Sequence, residues 1–188
     1  MNRLVIITVG KTHSGKTTFA KALEQVLENS IVMDQDNHAE FINTYYSNLQ
    51  PKKGPNTLKH AISKLIVDYT KENTDFHLII SNSNRSEKGR RYLLEELFPK
   101  DVFVRILVHF DIPNDVLEAR VVKSSRRTNI FRGPYTNFEE VLKRQQMESF
   151  NEDVKDPSAG EADYLFVIND NQDADTVIKN IVQIAQSR

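Results

Sequence analysis

Gly10-Lys11-Thr12-His13-Ser14-Gly15-Lys16-Thr17 stands between a run of branched apolar residues and an amphipathic stretch. Two glycines let the backbone turn tightly, so that successive N–H groups ahead of a helix face inward, where the helix dipole favours an anion. The lysine of such a loop reaches outer phosphate oxygens, and the hydroxyl after it ligates magnesium. The segment Gly10, Lys11, Thr12, His13, Ser14, Gly15, Lys16, Thr17 and Thr18 is therefore read as a triphosphate cradle. Lys16 would meet the outer charge and Thr17 the metal ion, while His13 is read as filling an inner loop position.

Asp34 and Asp36 follow the next short apolar run. At the carboxyl edge of an open sheet a carboxylate is placed to accept the proton of an attacking hydroxyl, and Asp34, nearer the strand, is the first choice. The bland alternative is that both are solvated or capping residues. Asn82, Asn84 and Arg85 leave a third strand without a carboxylate between Phe76 and Glu87. Either these asparagines orient an acceptor or a water, or they form a turn. Positive charge for a moving phosphoryl group is supplied by Arg120, Arg126, Arg127 and Arg132. The last three lie in Ser124 to Thr136, a polar, basic stretch with Gly133-Pro134 and no apolar stripe to tie it down. It is expected to be a mobile lid, spanning about 124–137.

These residues need rigid elements to hold them. Leu4 to Val9 has the continuous apolar pattern of a strand buried on both faces of a parallel sheet. Phe19, Ala20, Leu23, Val26 and Leu27 recur at helical spacing after Lys16. Further strands are expected at Ile31–Met33, Phe76–Ile80, Val102–Phe110 and Tyr164–Ile168. Helices are expected with apolar stripes at Leu58, Ala61, Ile62, Leu65 and Tyr69, then at Tyr92, Leu93, Leu94, Leu97 and Phe98 behind Ser86. Others carry Val116, Leu117 and Val121, then Val141, Leu142 and Met147 behind the cap Asn137, then Val177, Ile178, Ile181, Val182 and Ala185. Strands alternating with helices imply a parallel sheet covered on both faces, an α/β fold of three layers.

The 188 residues carry 39% hydrophobic and 27% charged residues, an ordinary balance for one soluble domain covering 1–188. A net charge of -1 draws the chain neither to nucleic acid nor to an anionic membrane, and no run is apolar enough for a span. The absence of cysteine excludes disulfides and thiolate chemistry, and a cytoplasmic location is expected.

In this order the phosphate loop, Asp34-Gln35-Asp36, Asn82-Ser83-Asn84-Arg85, Asp111-Ile112-Pro113 with Arg120, and the arginine loop resemble the P-loop kinases. The group meant is that of the polynucleotide 5'-kinase-like, gluconate and other small-molecule kinases, within the P-loop nucleoside triphosphate hydrolase superfamily. The resemblance implies a five-stranded parallel sheet ordered 2-3-1-4-5, Asp34 as base, and Arg120, Arg126 and Arg127 as phosphate contacts. Two departures stand out: polynucleotide kinases carry aspartate where Asn82 stands, and an arginine where Asn37 stands. A small-molecule acceptor is therefore favoured over a nucleic-acid end.

The expected activity is an ATP- and Mg2+-dependent phosphotransferase acting on an alcohol group. Its acceptor would lie among Asp34, Asp36, Asn82, Asn84, Arg85 and the helical region Asn37 to Tyr69. One rival is a polynucleotide or nucleotide kinase with Lys52, Lys53, Arg85, Arg90 and Arg91 along a backbone track. The other is a regulatory module that binds ATP without catalysis. The sequence names neither the acceptor nor the oligomeric state.

Overall fold

The computed structural model describes residues 3–51, 53–131 and 135–187. Lys52 of the alternative track, and Arg132, Gly133 and Pro134 of the expected lid, lie outside the described residues.

The chain runs β1 (Arg3–Val9), α1 (Lys16–Val26), β2 (Ser30–Met33), α2 (Gln35–Tyr45), α3 (Thr57–Asn73) and β3 (His77–Ile80). It continues through α4 (Glu87–Arg91), which passes into a π-helical stretch at Tyr92–Leu97, then β4 (Phe103–Phe110) and α5 (Asn114–Val122). Last come α6 (Phe138–Glu148), β5 (Tyr164–Ile168) and α7 (Asn171–Gln186). The strands pair in parallel in the order β2-β3-β1-β4-β5, as expected. Central β1 holds Val5 opposite Leu78 on one side and Arg105 on the other.

Side chains alternate across the sheet, which explains the apolar runs. Leu4, Ile6, Ile106 and Val108 face a layer built from Phe19, Leu23, Leu117, Leu142 and Ile181 of α1, α5, α6 and α7. Val5, Ile7, Leu78 and Leu107 face the opposite layer, with Val67 of α3 and Leu94 and Phe98 behind α4. Each such side chain contributes about 1.5–3 kcal/mol when fully buried.

Five expected faces need correction. On α3 the buried residues are Ser63, Val67 and Thr70, while Leu65 and Tyr69 are 68% and 64% exposed. The apolar spacing located this helix but not its inward side, because α3 packs on α2 and the sheet through a narrow stripe. Val26, Tyr92, Val116 and Met147 likewise face solvent. The region Asn37 to Tyr69 resolves into two helices, α2 and α3, with a short 3-10 turn at Ser47–Leu49 between them.

Arg90 overturns its place in the alternative nucleic-acid track. It is fully buried, pairs through Nε with Glu161 Oε1 at 2.6 Å, and donates to the carbonyls of Arg85 and Lys155, both at 2.9 Å. A buried cation requires such partners, and this one ties the segment after β3 to the segment before β5.

Candidate functional site

The loop between β1 and α1 is fixed from below by packing. Gly10, at φ 154°, lies so close to β4 that a Cβ there would sit 3.0 Å from the Phe110 Cβ and 3.1 Å from its carbonyl oxygen. Only glycine fits. Gly15, at φ 103°, is the N-cap residue of α1 and supplies no side chain to the helix. By contrast Asp34, Asn56, Ser86, Asn137 and Asp170 cap α2, α3, α4, α6 and α7 with side-chain oxygens. The first turn of α1 also holds no acidic residue, so its N–H groups and dipole remain available to an anion.

The side chains around this helix end converge. Lys16 Nζ bends back to the Lys11 carbonyl and to Ser14 Oγ, 3.1 Å away. Burial pushes its ammonium down to about 7; Arg126 and Arg85 add to the fall, and Asp36 and Asp34 oppose it. Thr17 Oγ1 donates to Asp34 Oδ2 at 3.2 Å, while Asp34 Oδ1 accepts from the Asp36 N–H at 2.9 Å. Asp34 is 4% exposed, and burial raises its pKa. It is thus both the helix cap of the bland reading and the buried carboxylate beside the loop.

A family model described as an AAA domain matches residues 5–149, well over half of the chain. The chain belongs to this AAA domain family. No curated protein matches it by sequence. Solved structures similar in fold include a putative kinase from Chloroflexus aurantiacus, 19% identical, covering 99% of this chain and 97% of that one with a TM-score of 0.63. An APS kinase from Mycobacterium tuberculosis, solved with AMPPNP and APS, is 14% identical, with 98% of each chain covered and a TM-score of 0.60. A gluconokinase from Sinorhizobium meliloti is 15% identical, covering 97% and 95% with a TM-score of 0.57. The resemblance to small P-loop kinases read from the motifs holds for the fold.

Within this AAA domain the strand-end asparagines serve the backbone. Asn82 Oδ1 accepts from Gln35 N at 3.1 Å, and Asn84, at φ 42°, donates through Nδ2 to the Thr8 carbonyl at 2.9 Å. Arg85 is held by Ser149 Oγ. Ser81 Oγ, beside them, is the one buried side-chain oxygen or nitrogen among the described residues that lacks a hydrogen-bond partner.

The arginines divide. Arg120 donates to the His13 carbonyl at 3.2 Å, beside the loop. Arg126 pairs with Asp36 and lies 5.0 Å over the Phe138 ring, near enough to lower the pKa of both His13 and Lys16. Arg127 turns away to Glu40, 3.6 Å distant, with its side chain 84% exposed.

The described part of the segment expected as a lid is also better anchored than its sequence implied. Ile130 and Phe131 pack against the core, and Phe131 meets Phe138 at 4.8 Å between ring centroids. Asn129 donates to Glu40 Oε1 at 2.8 Å, and Asn43 donates to the Phe131 carbonyl at 3.1 Å. Asp36, Glu40 and Asn43 form one stripe of α2 at helical spacing, and the lid lies along it.

One residue was missed and one was read only in part. Gln145 of α6 is buried and accepts the Thr12 N–H at 2.7 Å through Oε1. His13, at φ 59°, is more than a filler: its Nε2 is 2.8 Å from Ser124 Oγ, and its ring packs edge-on to Phe138 at 4.8 Å. The loop is therefore tied to Ser124 and to the first residue of α6. Burial, with Arg126, Lys16 and Arg120 nearby, holds His13 down to about 4, so the ring is neutral at neutral pH.

Proposed function

We propose that this protein is a kinase, one domain with a lid at 124–137, that transfers the terminal phosphoryl group of ATP to a hydroxyl of a small acceptor. The observation that carries the reading is the buried Asp34 carboxylate, 3.2 Å from Thr17 at the side-chain-free N-terminus of α1. A phosphate-ready helix end and a carboxylate of raised pKa are the two parts that in-line phosphoryl transfer needs from a protein.

Gly10 to Thr18 would cradle the triphosphate, with Lys16 on its outer oxygens. Magnesium fits this donor set. The Thr17 oxygen is free to ligate while its proton is shared with Asp34, and no cluster of three acidic, His or Cys ligands exists among the described residues. The ion would therefore complete its shell with phosphate and water oxygens, neutralising charge on the transferring group. Asp34 takes the acceptor's proton as its oxygen bonds to the terminal phosphorus and the bond to the ADP oxygen breaks. Arg126 and Arg120 flank that position, Arg127 is turned to Glu40 instead, and Asp36 positions Arg126. Asn82 and Asn84 shape the floor beneath the acceptor, and Arg85 faces it.

The neighbouring folds support this reading, since the solved relatives include gluconate and APS kinases. The test has two parts. Magnesium-ATP at a hundredfold excess over its dissociation constant should stabilise the protein by about 2.7 kcal/mol. A screen of sugars, nucleosides, antibiotics and oligonucleotides with labelled ATP should then yield a phosphorylated small molecule. Thermal protection by ATP with label transferred only to oligonucleotide ends would replace the acceptor class, and no protection would remove the nucleotide site itself.

A further inference from the structure

A cavity of about 350 Å³ opens at the carboxyl ends of β1 and β4, bounded by Gly10 and Lys11 of the phosphate loop and by Arg85, His109 and Asp156. Two of its cations are incompletely used. The Arg85 side chain is only 12% exposed, yet its hydrogen bond among the described residues is to the neutral Ser149 Oγ. Its nearest carboxylate, Glu148, is 3.9 Å away and is already paired with Arg144 at 3.3 Å. Lys11, half-buried, has no hydrogen bond or ion pair from its ammonium among the described residues.

The other charges at the rim are engaged or exposed. Lys155 pairs with Glu87 at 3.0 Å, Asp156 is met by His109 Nε2 at 3.3 Å, and Asp111 faces solvent. Burying two like charges beside each other is unfavourable unless an anion joins them. Burial, and after it the charge of Arg85, lowers the Lys11 pKa, while the exposed carboxylates Asp156 and Asp111 oppose the fall. Lys16 feels the fields of both Arg85 and Asp34, so the cavity and the proposed base flank the same loop lysine.

We infer that the acceptor carries a compact anionic group, a carboxylate, sulfate or phosphate, which Lys11 and Arg85 bind in this cavity while its hydroxyl reaches Asp34. This rests on the kinase reading and narrows it. The fork of Arg85 suits a planar or tetrahedral oxyanion, and Lys11 adds a point charge from the other side. The side chain of Lys11 thereby passes from the nucleotide to the acceptor, while its carbonyl continues to serve Lys16.

The test uses protein saturated with magnesium and a non-hydrolysable ATP analogue, so that the phosphate loop is filled before inorganic sulfate is titrated in by calorimetry. Sulfate should bind the loaded wild type. Lys11→Met and Arg85→Ala should each weaken it about tenfold or more, as loss of a charge-assisted hydrogen bond implies. Lys155→Ala should leave it within about twofold, as expected of an exposed ion pair. Arg85→Lys keeps the charge and guards against a folding defect, and should retain more affinity than Arg85→Ala.

No sulfate uptake by the loaded wild type, or equal uptake by the variants, would overturn the inference while leaving the kinase reading intact. Analogue affinity falling in parallel with sulfate affinity would assign the pair to ATP and overturn it as well. Failure of the analogue to bind at all would instead remove the kinase reading on which it rests. A turnover comparison of sugar acids, sugar sulfates and sugar phosphates with their neutral parents then identifies the anion, and preference for the neutral parents would count against the proposal.

Discussion

The phosphate loop and the seam between α2 and the lid are both polar, but they are held in opposite ways. The loop is fixed by buried contacts: Gly10 against Phe110, Thr12 N on Gln145, and Asp34 beneath Thr17. The seam is fixed at its outer edge by partly exposed pairs, Arg126 with Asp36 and Arg127 with Glu40. Buried hydrogen bonds are costly to break, whereas exposed ion pairs contribute about 0–1 kcal/mol. On the proposed kinase reading, the difference separates a preorganised anion site from a closure that charge can readily make and unmake.

The sharpest way to break this comparison is Lys16→Ala, which should reduce phosphoryl transfer by about a thousandfold or more with the fold retained. Turnover and thermal melting measured together decide it. The pH dependence is equally specific. Lys16 is held to about 7 in the folded loop against an ordinary 10.5, so between these values the unfolded chain binds more protons and stability rises with pH. Because phosphate favours the charged form, ATP binding at pH 8 should take up a proton. Calorimetry in buffers of different ionisation enthalpy would detect that uptake, and Lys16→Met should abolish it.

Asp34→Asn comes next. Asparagine can still cap α2, so the fold should persist while turnover falls about a hundred- to ten-thousandfold. ATP affinity should change little, and normal turnover would return Asp34 to a purely capping role. Arg126→Ala should lower turnover by up to about a thousandfold, with melting unchanged, because its pair with Asp36 lies at the surface. If melting shifts strongly instead, the seam is not the loosely held region described here.

Gln145→Leu addresses the rigid side. It leaves the buried Thr12 N–H without an acceptor and should cost about 1–3 kcal/mol in chemical denaturation, with weaker ATP binding. Gln145→Glu, which restores an acceptor, should recover part of both. The smallest effect belongs to Arg127→Ala, expected within about 0.5 kcal/mol in stability and well below Arg126→Ala in turnover.

Much of the scaffold was legible from periodicity. The five strands, the cap at Asn137 and the buried residues Phe19, Ala20 and Leu23 of α1 all rest on local patterns that the folded chain keeps. The phosphate loop was legible because its glycines and lysine are adjacent in sequence. The stripe Asp36, Glu40 and Asn43 was not legible, since polar residues at helical spacing usually mean solvent and their partners Arg126, Asn129 and Phe131 lie about 90 residues on. Gln145 was not legible, since its meaning lies in Thr12, 133 residues earlier. Arg90 was read as surface charge for the same reason, as its carboxylate is 71 residues away.

That long reach of Arg90 bears on the order in which the protein is made. Chains emerge from the ribosome at about 5–20 residues per second, with N-terminal parts free to fold first. By the time residue 150 has emerged, β1, β3 and β4 can pair, and Gln145 can meet the loop. Glu161 has not yet appeared. Until it does, Arg90 has only the carbonyls of Asn84 and Arg85 to donate to, and the segment carrying Arg85 is not yet clamped to the segment before β5. A chain arrested there would hold a nearly finished loop between β1 and α1 beside a cavity that still lacks its Lys155 and Asp156 wall.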